Sequence, residues 1–97
     1  MKLKSVRDQV VVLVGSSSGI GRVAAKRLAS MGAKVVLAAR TEDALQSAVD
    51  EIRQSGGTAE HFTADVTRPE DLELLAEFAV EKFGRIDTWC HLAGVSV

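Results

Sequence analysis

Five consecutive apolar residues, Val10-Val11-Val12-Leu13-Val14, run directly into Gly15-Ser16-Ser17-Ser18-Gly19-Ile20-Gly21. A β-branched run without polar alternation reads as a strand covered on both faces, which an all-parallel sheet with helices on each side provides. The glycines that follow predict a tight turn into a helix. Ile20, Val23, Ala24, Arg27, Leu28 and Met31 recur at three- and four-residue steps, so a helix is expected over 19–31, stopped by Gly32 in the C′ position. Strand, turn and helix together restrict this chain to folds built on a βα unit.

The same unit repeats down the chain. Apolar runs at Ala33 to Ala39, Ala59 to Ala64 and Ile86 to Leu92 predict three more strands, the third strand in order being the most mixed. A second helix is expected after Thr41, whose hydroxyl is placed to cap it, with Glu42 and Asp43 at the dipole's positive end. Leu45, Ala48, Val49 and Ile52 form its buried stripe, and Gly56-Gly57 ends it. A third helix opens at Pro69 and carries Leu72, Leu75, Ala76, Ala79, Val80 and Phe83 up to Gly84. The alternation β-α-β-α-β-α-β demands parallel pairing, and right-handed crossovers put the first two helices on one face. The predicted fold is an α/β Rossmann-like half-sheet of strand order 3-2-1-4, in one unit spanning 1–97.

Composition removes several functions. The formal net charge is −1, which gives no basis for binding nucleic acid or an acidic membrane surface through a basic patch. Lys2 and Lys4 precede an apolar run far too short to span a bilayer. With one cysteine, Cys90, no internal disulfide forms, and no His/Cys cluster has metal-ligand spacing, so the reducing cytoplasm is the expected compartment and no metal is expected. His61 and His91 have no carboxylate or cysteine at ligand spacing and are expected to make ordinary hydrogen bonds on their strands. The serines at 16–18 do not form the Gly-x-Ser-x-Gly of a nucleophile elbow.

The glycine turn carries the functional argument. A pyrophosphate needs a strand-to-helix turn without obstructing side chains, so that first-turn amides and the helix dipole face the anion. Gly15, Gly19 and Gly21 meet that need, with Ser17, Ser18 and Ile20 between them. The competing reading is an ordinary flexible βα loop. The residue that would hold the ribose hydroxyls of NAD belongs at the end of the second strand, where an acid is usual. Arg40 stands there instead, and its planar fork of donors suits a 2′-phosphate, so NADP(H) is favoured over NAD(H). Ser18 and Thr41 offer hydroxyls to the same phosphate. The alternatives are that Arg40 is a solvated strand-end residue and that Asp65 merely caps the turn before Pro69.

These residues resemble the short-chain dehydrogenases/reductases over essentially the whole chain. Val14 to Gly21 is similar to the family's Thr-Gly-x-x-x-Gly-x-Gly turn, with Val14 in the Thr place, and Ala39-Arg40 is similar to its NADP-preferring members. Asp65-Val66 matches the pair that by resemblance holds the adenine. The segment Asp87 to Gly94 resembles the approach to the Asn-Asn-Ala-Gly motif, with His91-Leu92 replacing the Asn pair and Ala93-Gly94 retained beside the cofactor ribose. The resemblance implies hydride transfer between a nicotinamide dinucleotide and a carbonyl or alcohol. It also implies a catalytic Ser and Tyr-x-x-x-Lys further along; this chain has no tyrosine, so no catalytic residue is assigned and nucleotide binding without catalysis is expected of these 97 residues. A non-catalytic nucleotide- or partner-binding module is the alternative. The fourth strand would present Trp89, Cys90 and Leu92 on an uncovered edge, predicting self-association.

Overall fold

Seven main elements alternate along the chain in the structure, a computed structural model that describes residues 6–15 and 19–92. They are β1 (Val10–Val14), α1 (Gly19–Ser30), β2 (Lys34–Ala39), α2 (Glu42–Gln54), β3 (Thr58–Thr63), α3 (Pro69–Phe83) and β4 (Thr88–His91), preceded by a single 3₁₀ turn at Val6–Asp8. The four strands form one parallel sheet in the order β3-β2-β1-β4, as the βα alternation predicts.

The pleat divides β1 and β2 between two apolar layers. Val11, Leu13, Val35 and Leu37 pack under α1 and α2 against Leu45, Ala48, Val49 and Ile52. Val12, Val14, Val36 and Ala38 face the opposite side, against Leu75 and Ala79 of α3 and the half-buried Phe62, Phe78 and Trp89. Every residue of β1 is buried, which is why that run shows no polar alternation.

Helix α1 departs from the expected stripe. Val23 is 66% exposed and Met31 51%, whereas Gly21, Ala25 and Ala29 form the buried line. Spacing alone favoured the larger residues. A helix lying close on a sheet favours the smaller ones, whose missing bulk lets the two backbones approach. In α3, Val80 is likewise 47% exposed, while Leu75 and Ala79 carry the packing.

The end of α1 follows the prediction. Gly32 has φ +95°, with its N–H donating to Ala29 O at 3.0 Å and the Ala33 N–H donating to Leu28 O at 3.1 Å, the paired bonds of a Schellman stop. The start of α2 corrects one. Thr41 is the N-cap residue with extended backbone, but its hydroxyl makes no capping bond. The acids Glu42 and Asp43 occupy that turn as expected.

Strand β4 lies at one edge of the described sheet, paired only to β1. Its side chains are less bare than expected. Trp89 packs on the α3 layer and Cys90 on the α1/α2 layer, and Leu92 is also half-buried. Both ends of the pairing are tied. Asp87 N–H donates to Val10 O at 2.9 Å, Asp87 Oδ2 accepts from Val10 N–H at 2.8 Å, and Leu92 N–H donates to Val14 O at 2.8 Å.

Candidate functional site

Parallel pairing places all four strand carboxyl ends on the same side. Val14 lies opposite Ala38 and His91, and Ala39 opposite Thr63. The chain continues the register one step beyond each strand, since Gly15 N–H donates to Ala38 O at 2.6 Å and Ala64 N–H to Ala39 O at 2.9 Å. Gly15, Arg40 and Asp65, distant in sequence, therefore stand in a row across one end of the sheet. Because α1 leaves β1 on one face and α3 returns to β4 on the other, the topological switch point falls between β1 and β4, where open α/β sheets have the crevice that takes their ligands.

The glycine turn begins here, directly after β1. Gly15 has φ +87°, a conformation costly for any residue with a Cβ. Gly19 opens α1 with φ +34° and is exposed, while Gly21 is buried under the helix. Ser17 and Ser18 lie outside the described residues, as do Ala93 and Gly94. The backbone of Ile20 belongs to the first turn of α1.

At the end of β2, Arg40 is exposed and its guanidinium has no hydrogen bond or ion pair among the described residues. Its positive charge is felt at Asp65 on the neighbouring connection. Thr41, also exposed, keeps its hydroxyl out of the α2 cap.

Asp65 takes the turn-capping role weighed as its alternative. Its Oδ1 accepts from Thr67 N–H at 2.9 Å and from Thr67 Oγ1 at 2.6 Å, and its carbonyl accepts from Arg68 N–H at 3.0 Å. Two groups remain without partners among the described residues: Asp65 Oδ2 and the N–H of Val66. A hydrogen-bond acceptor and a donor thus sit on consecutive residues. Capping the turn and presenting a polar edge are compatible roles.

The Thr67 hydroxyl and N–H hold the Asp65 carboxyl below its ordinary pKa; partial desolvation opposes them, and the charges of Arg40 and Arg68 assist. A lowered folded-state pKa contributes stability that is complete above the unfolded value, about pH 4, and that fades as pH falls through the folded value. Thr67→Val removes the hydroxyl bond and is expected to move the Asp65 titration upward. Carboxyl chemical shifts followed against pH check this; an unmoved titration would show that the hydroxyl has no hold on the group.

Among the described residues, no group of three or more His, Cys, Asp or Glu is arranged for a metal, and no helix is long and apolar enough to cross a membrane. His61 Nε2–H donates to Gln46 Oε1 at 2.8 Å, an ordinary bond as expected, and its Nδ1 is buried without a partner among the described residues. His91 sits at the β4 end, its ring 6.0 Å from that of Trp89. A cavity of about 200 Å³ between α1 and α2, touching Lys26, Ala29, Glu51 and Gly57, lies at the helix carboxyl ends and so on the opposite side of the sheet from the crevice. Its one carboxylate is already engaged: Glu51 accepts from Arg22 at 2.7 Å, with Lys26 at 3.7 Å, and the Arg22 bond keeps the Glu51 carboxyl below its ordinary pKa.

Two contributors escaped the sequence reading. Asp87 pins the amino end of β1 to β4. Asp71 Oδ2 accepts from Asp65 N–H at 2.8 Å. The second had a visible signal, an acid in the first turn of a helix that starts with Pro69.

A parallel sheet ordered 3-2-1-4, with a glycine turn beside its switch point, defines a Rossmann-type α/β protein. Comparison with known proteins makes this specific: the family model described as short chain dehydrogenase matches residues 9–97, and the chain belongs to that family. An uncharacterized oxidoreductase of Bacillus subtilis, YxnA, is 50% identical over 96 residues, covering 99% of this chain and 27% of its own length. The crystal structure of a hydroxysteroid dehydrogenase from Escherichia coli superposes with a TM-score of 0.87 at 34% identity, covering 90% of this chain and 37% of that one. A variant of actinorhodin polyketide ketoreductase, solved with NADPH, superposes with a TM-score of 0.83 at 31% identity, covering 92% of this chain and 34% of that one. The chain thus spans about a third of the length of these relatives.

Proposed function

We propose that this chain is the NADP(H)-binding part of a short-chain oxidoreductase that transfers hydride between nicotinamide and a carbonyl or alcohol. The observation that carries the cofactor choice is Arg40, an exposed guanidinium without a partner among the described residues, at the carboxyl end of β2 and beside the uncapped Thr41. A 2′-phosphate supplies the missing anion, and an arginine fork holds it more strongly than a ribose hydroxyl. The ketoreductase relative was solved with NADPH, in keeping with this reading.

The remaining roles follow the crevice. Gly15, Ser17, Ser18, Gly19, Ile20 and Gly21 take the pyrophosphate through backbone amides, with Ser18, Arg40 and Thr41 around the 2′-phosphate. Asp65 Oδ2 and Val66 N–H fit the amino group and ring nitrogen along one edge of adenine. Ala93-Gly94 lies beside the ribose. When bound, the nicotinamide supplies or accepts the hydride; this chain's residues bind and orient it, and the acid/base groups come from further residues of the full protein. The cytoplasm is its place of action, the reading that the lone cysteine supports.

Calorimetric titration of the full chain tests this reading: NADPH is expected to bind tighter than NADH, and equal affinities would remove Arg40 from the cofactor site. A corollary concerns the 97 residues alone. With β4 at an open edge and Val23, Met31, Leu74 and Val80 about half exposed or more, they are expected to self-associate, as read by light scattering. A monodisperse monomer would contradict it.

A further inference from the structure

The connection from β3 to α3 is tied at more points than a turn of its length requires. Arg68, the residue before α3, would ordinarily have its N–H taken by an acid in the first helical turn, the reciprocal half of a capping box. Here the Arg68 N–H is already spent on Asp65 O at 3.0 Å, and Pro69 has none to give. Asp71 instead reaches back across the whole turn, and its Oδ2 accepts the N–H of Asp65 at 2.8 Å. Asp71 is half-buried, and its own N–H returns to Arg68 O at 3.0 Å, closing the loop from the helix side.

The consequence for Asp65 is a complete constraint. Its N–H is held by Asp71, its carbonyl by Arg68 and its Oδ1 by Thr67. Only Oδ2 is left, next to the unpartnered Val66 N–H. A residue fixed on three sides presents its fourth in one direction, and a rigid polar edge binds a rigid planar partner without loss of loop freedom.

We infer that Asp71 is a positioning residue for the adenine end of the cofactor, aligning Asp65 Oδ2 and Val66 N–H by anchoring the Asp65 amide. This rests on the cofactor reading proposed above. Asp71 touches no ligand; it acts through Asp65. The acceptor oxygen matters and the negative charge does not, so asparagine is expected to substitute and alanine is not.

The test separates the two ends of the cofactor. In the full chain, Asp71→Ala is expected to weaken binding of adenosine 2′,5′-bisphosphate about tenfold, the worth of one ordered hydrogen bond, and to leave nicotinamide mononucleotide unaffected. Asp71→Asn is expected to bind both probes as the unsubstituted protein does. The inference is overturned if Asp71→Ala binds the bisphosphate normally, if Asp71→Asn loses as much as Asp71→Ala, or if both probes weaken together with thermal stability, the mark of a merely structural residue. Should Asp71→Ala not fold, hydrogen exchange at the Asp65 amide decides: slow exchange in the unsubstituted chain and in Asp71→Asn supports the anchor, and exchange at open-chain rates overturns it. If the unsubstituted protein binds neither probe, the cofactor reading itself fails and the role of Asp71 with it.

Discussion

Arg40→Asp is expected to reverse the cofactor preference, lowering NADPH affinity about a hundredfold while NADH binding holds or improves. A charge-assisted bond to phosphate contributes about 1.5–3 kcal/mol, and each 1.4 kcal/mol is about tenfold in affinity. Repulsion between the new carboxylate and the 2′-phosphate adds to that loss, whereas the ribose hydroxyls of NADH gain an acceptor. The substitution also removes a positive charge that lowers the Asp65 pKa, so the Asp65 titration should rise with it. Arg40 is exposed and unpartnered among the described residues, so the fold should be indifferent to the change. Paired titrations of NADPH and NADH into both proteins give the ratio. An unchanged ratio would place the 2′-phosphate elsewhere.

The largest effect on stability is expected at Leu37. Its side chain is fully buried on β2, in the one apolar layer that α1 and α2 share. Leu37→Ala deletes that contact and leaves a cavity whose walls, the sheet and two helices, cannot readily collapse, at a cost of about 3–4 kcal/mol. Domains are stable by only about 5–15 kcal/mol, so this one truncation takes a large share. Leu74 on α3 serves as the control: it is 51% exposed, and its truncation is expected to shift stability by less than about 0.5 kcal/mol. Urea unfolding of the two variants, compared by midpoint at equal slope, distinguishes them. Comparable losses at the two positions would mean that the apolar layer under α1 and α2 is not where the fold draws its stability.

Much of the architecture was legible because β1 and β2 lack polar alternation. Only burial on both faces explains Val10 to Val14 and Val35 to Ala39, and that burial requires parallel strands with helices on each side. Less was legible where the decisive quantity was distance between backbones. In α1, the periodic line through Val23 and Met31 looks better on hydrophobicity than Gly21, Ala25 and Ala29, and the smaller set is buried because the helix must lie close to the sheet. At Thr41 the pattern located the helix start, but the hydroxyl makes no capping bond, and whether a cap residue's side chain turns onto the first-turn amides is a side-chain torsion that residue type does not fix. At the candidate site, residue types pointed to Gly15, Arg40 and Asp65 separately. Their alignment depends on register, which pairs Val14 with Ala38 and Ala39 with Thr63. Which Asp65 oxygen the turn leaves open depends on which one Thr67 occupies.

The link between Val10 and Asp87 joins residues 77 positions apart, whereas β1, β2 and β3 pair across single βα units. Closing a longer loop costs more chain entropy before any contact offsets it. The β1–β4 seam is therefore the most nonlocal join in the described sheet, and it is also one wall of the crevice. A chain that has assembled only β1 to β3 has its arginine and its glycine turn but no β1–β4 switch point, so cofactor capture, on the reading proposed above, reports closure of that seam rather than the earlier pairings.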